Sequence, residues 1–269
     1  MQQPYNPNSY GQYGYGAQVR SQAEIDQGLR SFMLGVYNNM TLGLAITGLV
    51  ALGLSMLAFT TDASTAYQAG GRAVRMGGQF LTPLGYTLFG TPLKWAIMLA
   101  PLAFVFFFSF RMEQMSAATA RTTFFVFAAV MGLSLASIFA VFTGQSITQV
   151  FFITAASFGA LSLWGYTTKR SLSGMGSFLI MGLIGLMIAS IVNIFLASSA
   201  LAFAVSVVGV LIFAGLTAYD TQRLKEMYVY GDFDTETASK VSIFGALSLY
   251  LNFINMFQLL LSLFGTRQE

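Results

Sequence analysis

Long gaps between charged residues constrain this chain more than any other feature. Between Arg30 and Asp62 lie 31 uncharged residues, and between Lys94 and Arg111 lie 16. Arg121 to Lys169 encloses 47, Arg170 to Asp220 encloses 49, and Lys240 to Arg267 encloses 26. Crossing the hydrocarbon core of a bilayer takes about 20 apolar residues at a rise of about 1.5 Å each. The first and last gaps each supply one helix, and so does the 16-residue gap, with Lys94 snorkelling to the interface. Either of the two longest gaps, unbroken, would make a helix of roughly 70 Å, more than twice the ~30 Å core. Each must therefore be two helices. The first breaks at Thr143-Gly144-Gln145-Ser146 and the second near Ala197-Ser198-Ser199, both clusters of turn-forming residues.

The result is an all-α integral membrane bundle of seven transmembrane helices, expected near 32–60, 93–110, 122–143, 146–168, 175–197, 200–220 and 241–264. Composition agrees. The chain is 55% hydrophobic and 9% charged, with a mean hydropathy of +0.67, whereas soluble domains carry about 25% charged residues. Residues 76–93 also lack charge but hold four glycines and two prolines. They fit a long loop on the membrane surface or a short re-entrant helix. Residues 1–24 begin with Gln, Asn, Pro, Gly, Ser and Tyr and almost no aliphatics, so a disordered cytoplasmic tail is expected there. A basic n-region running into a short apolar stretch is missing, so the tail does not read as a signal peptide.

Charge sets the orientation. With the N-terminus in the cytoplasm, that side holds Arg20, Arg30, Arg111, Arg121, Lys169, Arg170, Arg223, Lys225 and Lys240. The other side holds Arg72, Arg75, Lys94 and Arg267. Nine against four favours this arrangement by the positive-inside rule.

Several function classes fall away. Cysteine and histidine are absent, which removes thiol nucleophiles, Cys/His zinc sites and histidine bases. No basic cluster interleaved with aromatics suggests nucleic acid. An intramembrane protease needs a nucleophile or paired aspartates, and only Asp220 stands next to a span, so an enzyme is not expected. No cofactor motif is present.

The polar residues near the spans carry what remains. Asp220 ends the sixth predicted helix and fits either a solvated boundary residue or a functional acid. On the seventh, Ser248, Asn252, Asn255 and Ser262 recur at steps of four, three and seven, on one helical face. In lipid such a stripe turns toward other helices or toward water. It suits hydrogen-bonding glue between helices or the lining of an ion path, and the spacing leaves both open. Ser134, Ser137, Thr154, Ser157, Ser190 and Asn193 could face the same interior.

Two segments, Gly215-Leu-Thr-Ala-Tyr-Asp-Thr-Gln222 and Ala246-Leu-Ser-Leu-Tyr-Leu-Asn-Phe-Ile-Asn-Met-Phe257, resemble the C-terminal signature of the Bax-inhibitor family of membrane proteins. Gly165-Tyr-Thr-Thr-Lys-Arg-Ser-Leu-Ser173, Gly132-Leu-Ser-Leu-Ala-Ser137 and Ile191-Val-Asn-Ile-Phe195 resemble further parts of it. The likeness covers roughly residues 25–265. It implies a seven-helix bundle with the seventh helix central, and a bacterial member in the inner membrane. Bacterial relatives are described as passive, pH-sensitive calcium leak channels. The family's gate is a pair of aspartates on the sixth and seventh helices, latched by an arginine near the end of the second. Asp220 matches the first aspartate and Arg111 the arginine, whereas Asn252 stands where the family has its second aspartate.

That exchange matters physically. Two close carboxylates cannot easily both ionise, so an acid pair switches nearer neutral pH than a lone acid. An Asp–Asn pair has no such repulsion, and Asn252 can donate a hydrogen bond to Asp220 instead. pH gating is therefore expected to be weakened or moved to more acid values. Calcium, a hard cation that takes oxygen ligands, would be the transported ion. It would touch Asp220, with Ser248, Asn255 and Asn193 lining the path. A second implied role is a non-conducting regulator of membrane-protein quality control that binds a membrane protease.

Overall fold

The computed structural model describes residues 22–111, 114–231 and 233–268. Of the tail expected over 1–24, residues up to 21 lie outside the described residues, while 22–24 already belong to the first helix.

Nine α-helices follow one another among the described residues: α1 (Gln22–Ala58), α2 (Pro83–Gly85), α3 (Leu93–Arg111), α4 (Ala117–Leu135), α5 (Ile138–Val141), α6 (Gly144–Thr167), α7 (Ser173–Leu196), α8 (Ser199–Tyr230) and α9 (Thr235–Phe264). Six stretches are long and apolar enough to cross a membrane: most of α1, α4 with α5, α6, α7, α8 and α9. The seventh candidate is a bent pair, Pro83–Gly90 followed by Leu93–Phe108, which turns through 63° at its break.

Several helices outrun the lengths expected of them. α8 extends ten residues past Asp220 to Tyr230, and α9 begins at Thr235 rather than near 241. Charges end the lipid-compatible stretch without ending the helix, because Arg, Lys and Glu are good helix formers in water. The 122–143 expectation is interrupted instead. Ser137 donates its hydroxyl to the Ser134 carbonyl, and α4 gives way to the short α5. Boundaries at turns are otherwise capped by side chains, with Thr143, Ser198 and Asp234 accepting from the N–H three residues on.

The loop between the first two expected helices is more ordered than its glycines suggested. Phe59–Thr60 pairs antiparallel with Gln79–Leu81, which pairs with Arg75–Met76; Gln68–Ala69 pairs with Arg72–Ala73. Gly70, Gly71 and Gly77 take positive φ in the two tight turns, a conformation cheap only for glycine. Thr82 then caps α2 and also donates to the Leu57 carbonyl. A π-helical turn, Tyr86–Gly90, leads to the bend. A small core of Ala58, Phe59, Leu81, Phe89, Ala136 and Ala140 lies beneath.

In the main core, α8 and α9 pair most extensively, and α9 also packs on α1, α4 and α6. Its best 18-residue stretch is 56% buried, against 6% for α7, which rests chiefly on α8. Leu249, Tyr250 and Met256 on α9 are fully enclosed. At the end away from the basic residues of α8, the segment after α9 is woven into the bundle: Thr143 N–H donates to the Thr266 carbonyl and Gln268 N–H to that of Val141. The Gln268 amide donates to Phe139 and Phe142.

Candidate functional site

The family resemblance pairs Asp220 on α8 with Asn252 on α9, and the structure joins them directly. The Asn252 Nδ2 donates to Asp220 Oδ2 at 2.7 Å. Asn252 is buried at 5% exposure, and Asp220 is half-buried. The carboxylate accepts and the amide supplies its N–H, leaving the amide carbonyl oxygen as a further cation-compatible donor. Among the described residues no group of three or more His, Cys, Asp and Glu is gathered anywhere. The donor set is thus one carboxylate and one amide.

The residues on either side of Asp220 each reach a different neighbour. Ala218 lies against Gly165 of α6, where any side chain on Gly165 would collide with the Ala218 backbone. The Tyr219 ring lies on Gly176 of α7, where an added side chain would meet the ring itself. The Thr221 hydroxyl donates to the Thr217 carbonyl at 2.8 Å and meets Ser162 Oγ at 2.9 Å, and Ser162 meets Tyr37 OH at 2.6 Å. Gln222 spans the α6–α7 loop: its Oε1 accepts from Leu172 N–H at 2.7 Å and its Nε2 donates to the Arg170 carbonyl at 2.8 Å. Lys225 donates to the Tyr166 carbonyl at 3.0 Å. One stretch of α8 thereby ties together α1, α6, α7 and α9, and Asp220 sits within it.

The other expected site residues are placed differently. Arg111 is exposed at the end of α3, and no hydrogen bond or ion pair joins it to Asp220. Ser248 is exposed. Asn255 is half-buried and donates to the Leu251 carbonyl one turn back. Asn193 accepts from Ser198 N–H at 3.0 Å, closing the turn where Ala197 adopts a left-handed conformation. The Ser248–Ser262 face is therefore not one continuous stripe toward the interior: Asn252 turns inward, while Ser262 is exposed and meets Ser206.

The buried Gln222 clamp and the Tyr37–Ser162–Thr221 chain were not singled out from the sequence. The available signal was Gln222 itself, a long polar side chain two residues after Asp220 in the signature segment. A third polar group escaped as well. Glu236 accepts from Ala117 N–H at 2.7 Å, across the start of α4, where unpaired N–H groups favour a negative charge. Beside it opens a cavity of about 1080 Å³, lined by Ser31, Asn39, Arg121, Ser239 and Ser242 among others. The Asn39 Oδ1 there is shielded and without a hydrogen-bond partner.

Comparison with known proteins gives a consistent picture. Residues 29–269 match the family described as inhibitor of apoptosis-promoting Bax1. The chain is similar to an uncharacterised protein of Caulobacter vibrioides, 45% identical over 259 residues that cover 95% of this chain and 98% of that protein. It is also similar to protein RP147 of Rickettsia prowazekii, 42% identical over 245 residues (91% and 93%). The inner membrane protein YbhL of Escherichia coli is 44% identical over 242 residues (90% and 94%).

Proposed function

Because this chain belongs to the Bax-inhibitor family of multi-pass membrane proteins, we propose that it is a passive cation leak, for calcium, whose gate is the Asp220–Asn252 pair. The observation that carries the reading is the 2.7 Å hydrogen bond between these two side chains, on the two most extensively paired helices. A carboxylate beside a span is costly and is retained where it has work to do. One carboxylate with one amide oxygen gives calcium transient ligation, which suits a leak. Counting the bent pair as a single span gives seven by length and composition, and α9 packs on α1, α4, α6 and α8, which supports a central place for it. The protein then lies in a bacterial inner membrane, as its relative YbhL does by description, with its N-terminus in the cytoplasm on the side of the nine cations.

With asparagine opposite Asp220, a shared-proton switch between two acids is not available. The leak is accordingly less responsive near neutral pH than one gated by paired aspartates. Calcium flux into liposomes, measured against pH for the wild type, Asp220→Ala and Asn252→Asp, tests this. Asp220→Ala is expected to alter flux at all pH values. Asn252→Asp is expected to introduce a pH step nearer neutrality. An unchanged profile in Asn252→Asp sinks the gating idea. Absence of flux in every variant would favour the non-conducting regulator of a membrane protease.

A further inference from the structure

Two helices that flank α9 leave a cleft between them. α1 and α6 both pack on α8 and α9, yet between them runs a groove of about 600 Å³. Its walls extend from Arg30 to Leu44 on α1 and from Phe151 to Tyr166 on α6, with Phe253 of α9 at its floor. Fourteen residues of helix rise about 21 Å, which matches one leaflet of a bilayer ~40–45 Å thick including headgroups. The groove therefore runs from headgroup depth to the bilayer centre.

Its chemistry changes along that length. The inner part is lined by Met40, Leu44, Ala155, Phe158 and Phe253. The Tyr37 hydroxyl and Ser162 Oγ, near the middle, are already bonded to each other. Water in such a place finds few partners and is not retained, so hydrocarbon is the filling the groove accepts. The outer end is cationic. Arg30 is exposed there. Tyr166, opposite it, carries Lys225 both on its carbonyl and 5.3 Å from its ring centre. No acid lines the groove among the described residues; Asp26 lies one turn further out along α1. Trp164, half exposed on α6 at the same end, is an interfacial residue type.

We infer that this groove is a lipid site, holding one acyl chain of an anionic phospholipid from the leaflet at the basic end, with the headgroup against Arg30. Length, apolar lining and cationic mouth agree on this occupant. A bound chain touches Ser162, which bonds Thr221, the residue after Asp220. Lipid composition thereby reaches the neighbourhood of the polar pair.

The test uses the full chain in nanodiscs of phosphatidylcholine with one quarter phosphatidylglycerol. Release into mild detergent and native mass spectrometry then count retained lipids. The wild type is expected to keep one phosphatidylglycerol. Arg30→Gln is expected to lower the ratio of retained phosphatidylglycerol to phosphatidylcholine roughly fivefold, the worth of one basic residue at a charged surface. A side chain at Gly159 would project into open space, so Gly159→Leu fills the groove without a clash. That variant should lose the lipid while melting at the wild-type temperature. No stoichiometric lipid on the wild type, equal retention by Gly159→Leu, or a mass showing a second copy in place of lipid would each overturn the inference.

Discussion

Gln222→Met offers a sharp test of how the basic end is held. The substitution keeps the length of the side chain and removes both polar groups. Two hydrogen bonds, at 2.7 and 2.8 Å, are lost together. Their two partners do not suffer equally. Arg170 is exposed, so water can replace the amide on its carbonyl. Leu172 is buried at 7% exposure, and its N–H is left without a partner. An orphaned buried donor costs about 1–3 kcal/mol, so the loop is expected to be weakened by about 2 kcal/mol. That raises the population of the locally opened loop roughly thirtyfold. Lys169 and Arg170 stand in this loop, so trypsin reports its opening directly when cleavage is slow relative to reclosing. Cutting after these residues should accelerate by about that factor, with faster hydrogen exchange at the Leu172 amide. Cleavage rates within twofold of the wild type, with Leu172 still protected, would refute the clamp.

Three further outcomes are expected. A double-mutant cycle of Asp220→Ala and Asn252→Ala, read by unfolding in mixed micelles, should give a coupling energy of about 1–2 kcal/mol. This lies between the membrane average of about 0.6 and the 1.5–3 typical of bonds to charged groups, and a value near zero would make the contact incidental. Gly165→Leu should destabilise by about 1–3 kcal/mol or more, since α6 and α8 must separate around the Ala218 backbone; a wild-type melting temperature would contradict that close approach. Hydrogen bonds from the Thr237 side chain and backbone N–H hold the Asp234 carboxyl below the usual carboxylate range. The stabilisation is therefore complete above pH ~4 and fades as pH falls through the lowered value. Asp234→Asn should flatten the dependence of melting on pH below ~4, and an identical acid profile would count against the cap.

Much of this was legible in the sequence because lipid is an unforgiving solvent. The gaps between charges located the breaks at Thr143–Ser146 and Ala197–Ser199, where structural turns indeed lie. The Asp220–Asn252 pairing followed from the family resemblance of the signature segments, and the hydrogen bond between the two side chains agrees with it. Other features were illegible for identifiable reasons. Asp220 marked the expected end of the sixth helix, although charge marks only the limit of the lipid and α8 runs on to Tyr230. The strands between Phe59 and Leu81 are two or three residues long, too short to display an alternating pattern, and only the Gly-Gly pairs hinted at hairpins. Arg111 was matched to its role by resemblance, and its exposure at the end of α3 reflects tertiary placement that no local pattern encodes. Asn193 read as a candidate path residue because a turn cap and an inward polar group look identical in one dimension.

The weaving of residues 266–268 into the α5–α6 segment has a mechanical consequence. At its other end α9 is tethered through Glu236 to the start of α4. The helix that carries Asn252 is thus pinned at both extremities, like an axle held in two bearings. Sliding or turning it would break bonds some 30 residues apart at once. Relative movement at Asp220 and Asn252 is therefore cheaper when α8 or a side chain shifts past a stationary α9. On the proposed leak reading, opening is a matter of parts moving around a fixed shaft.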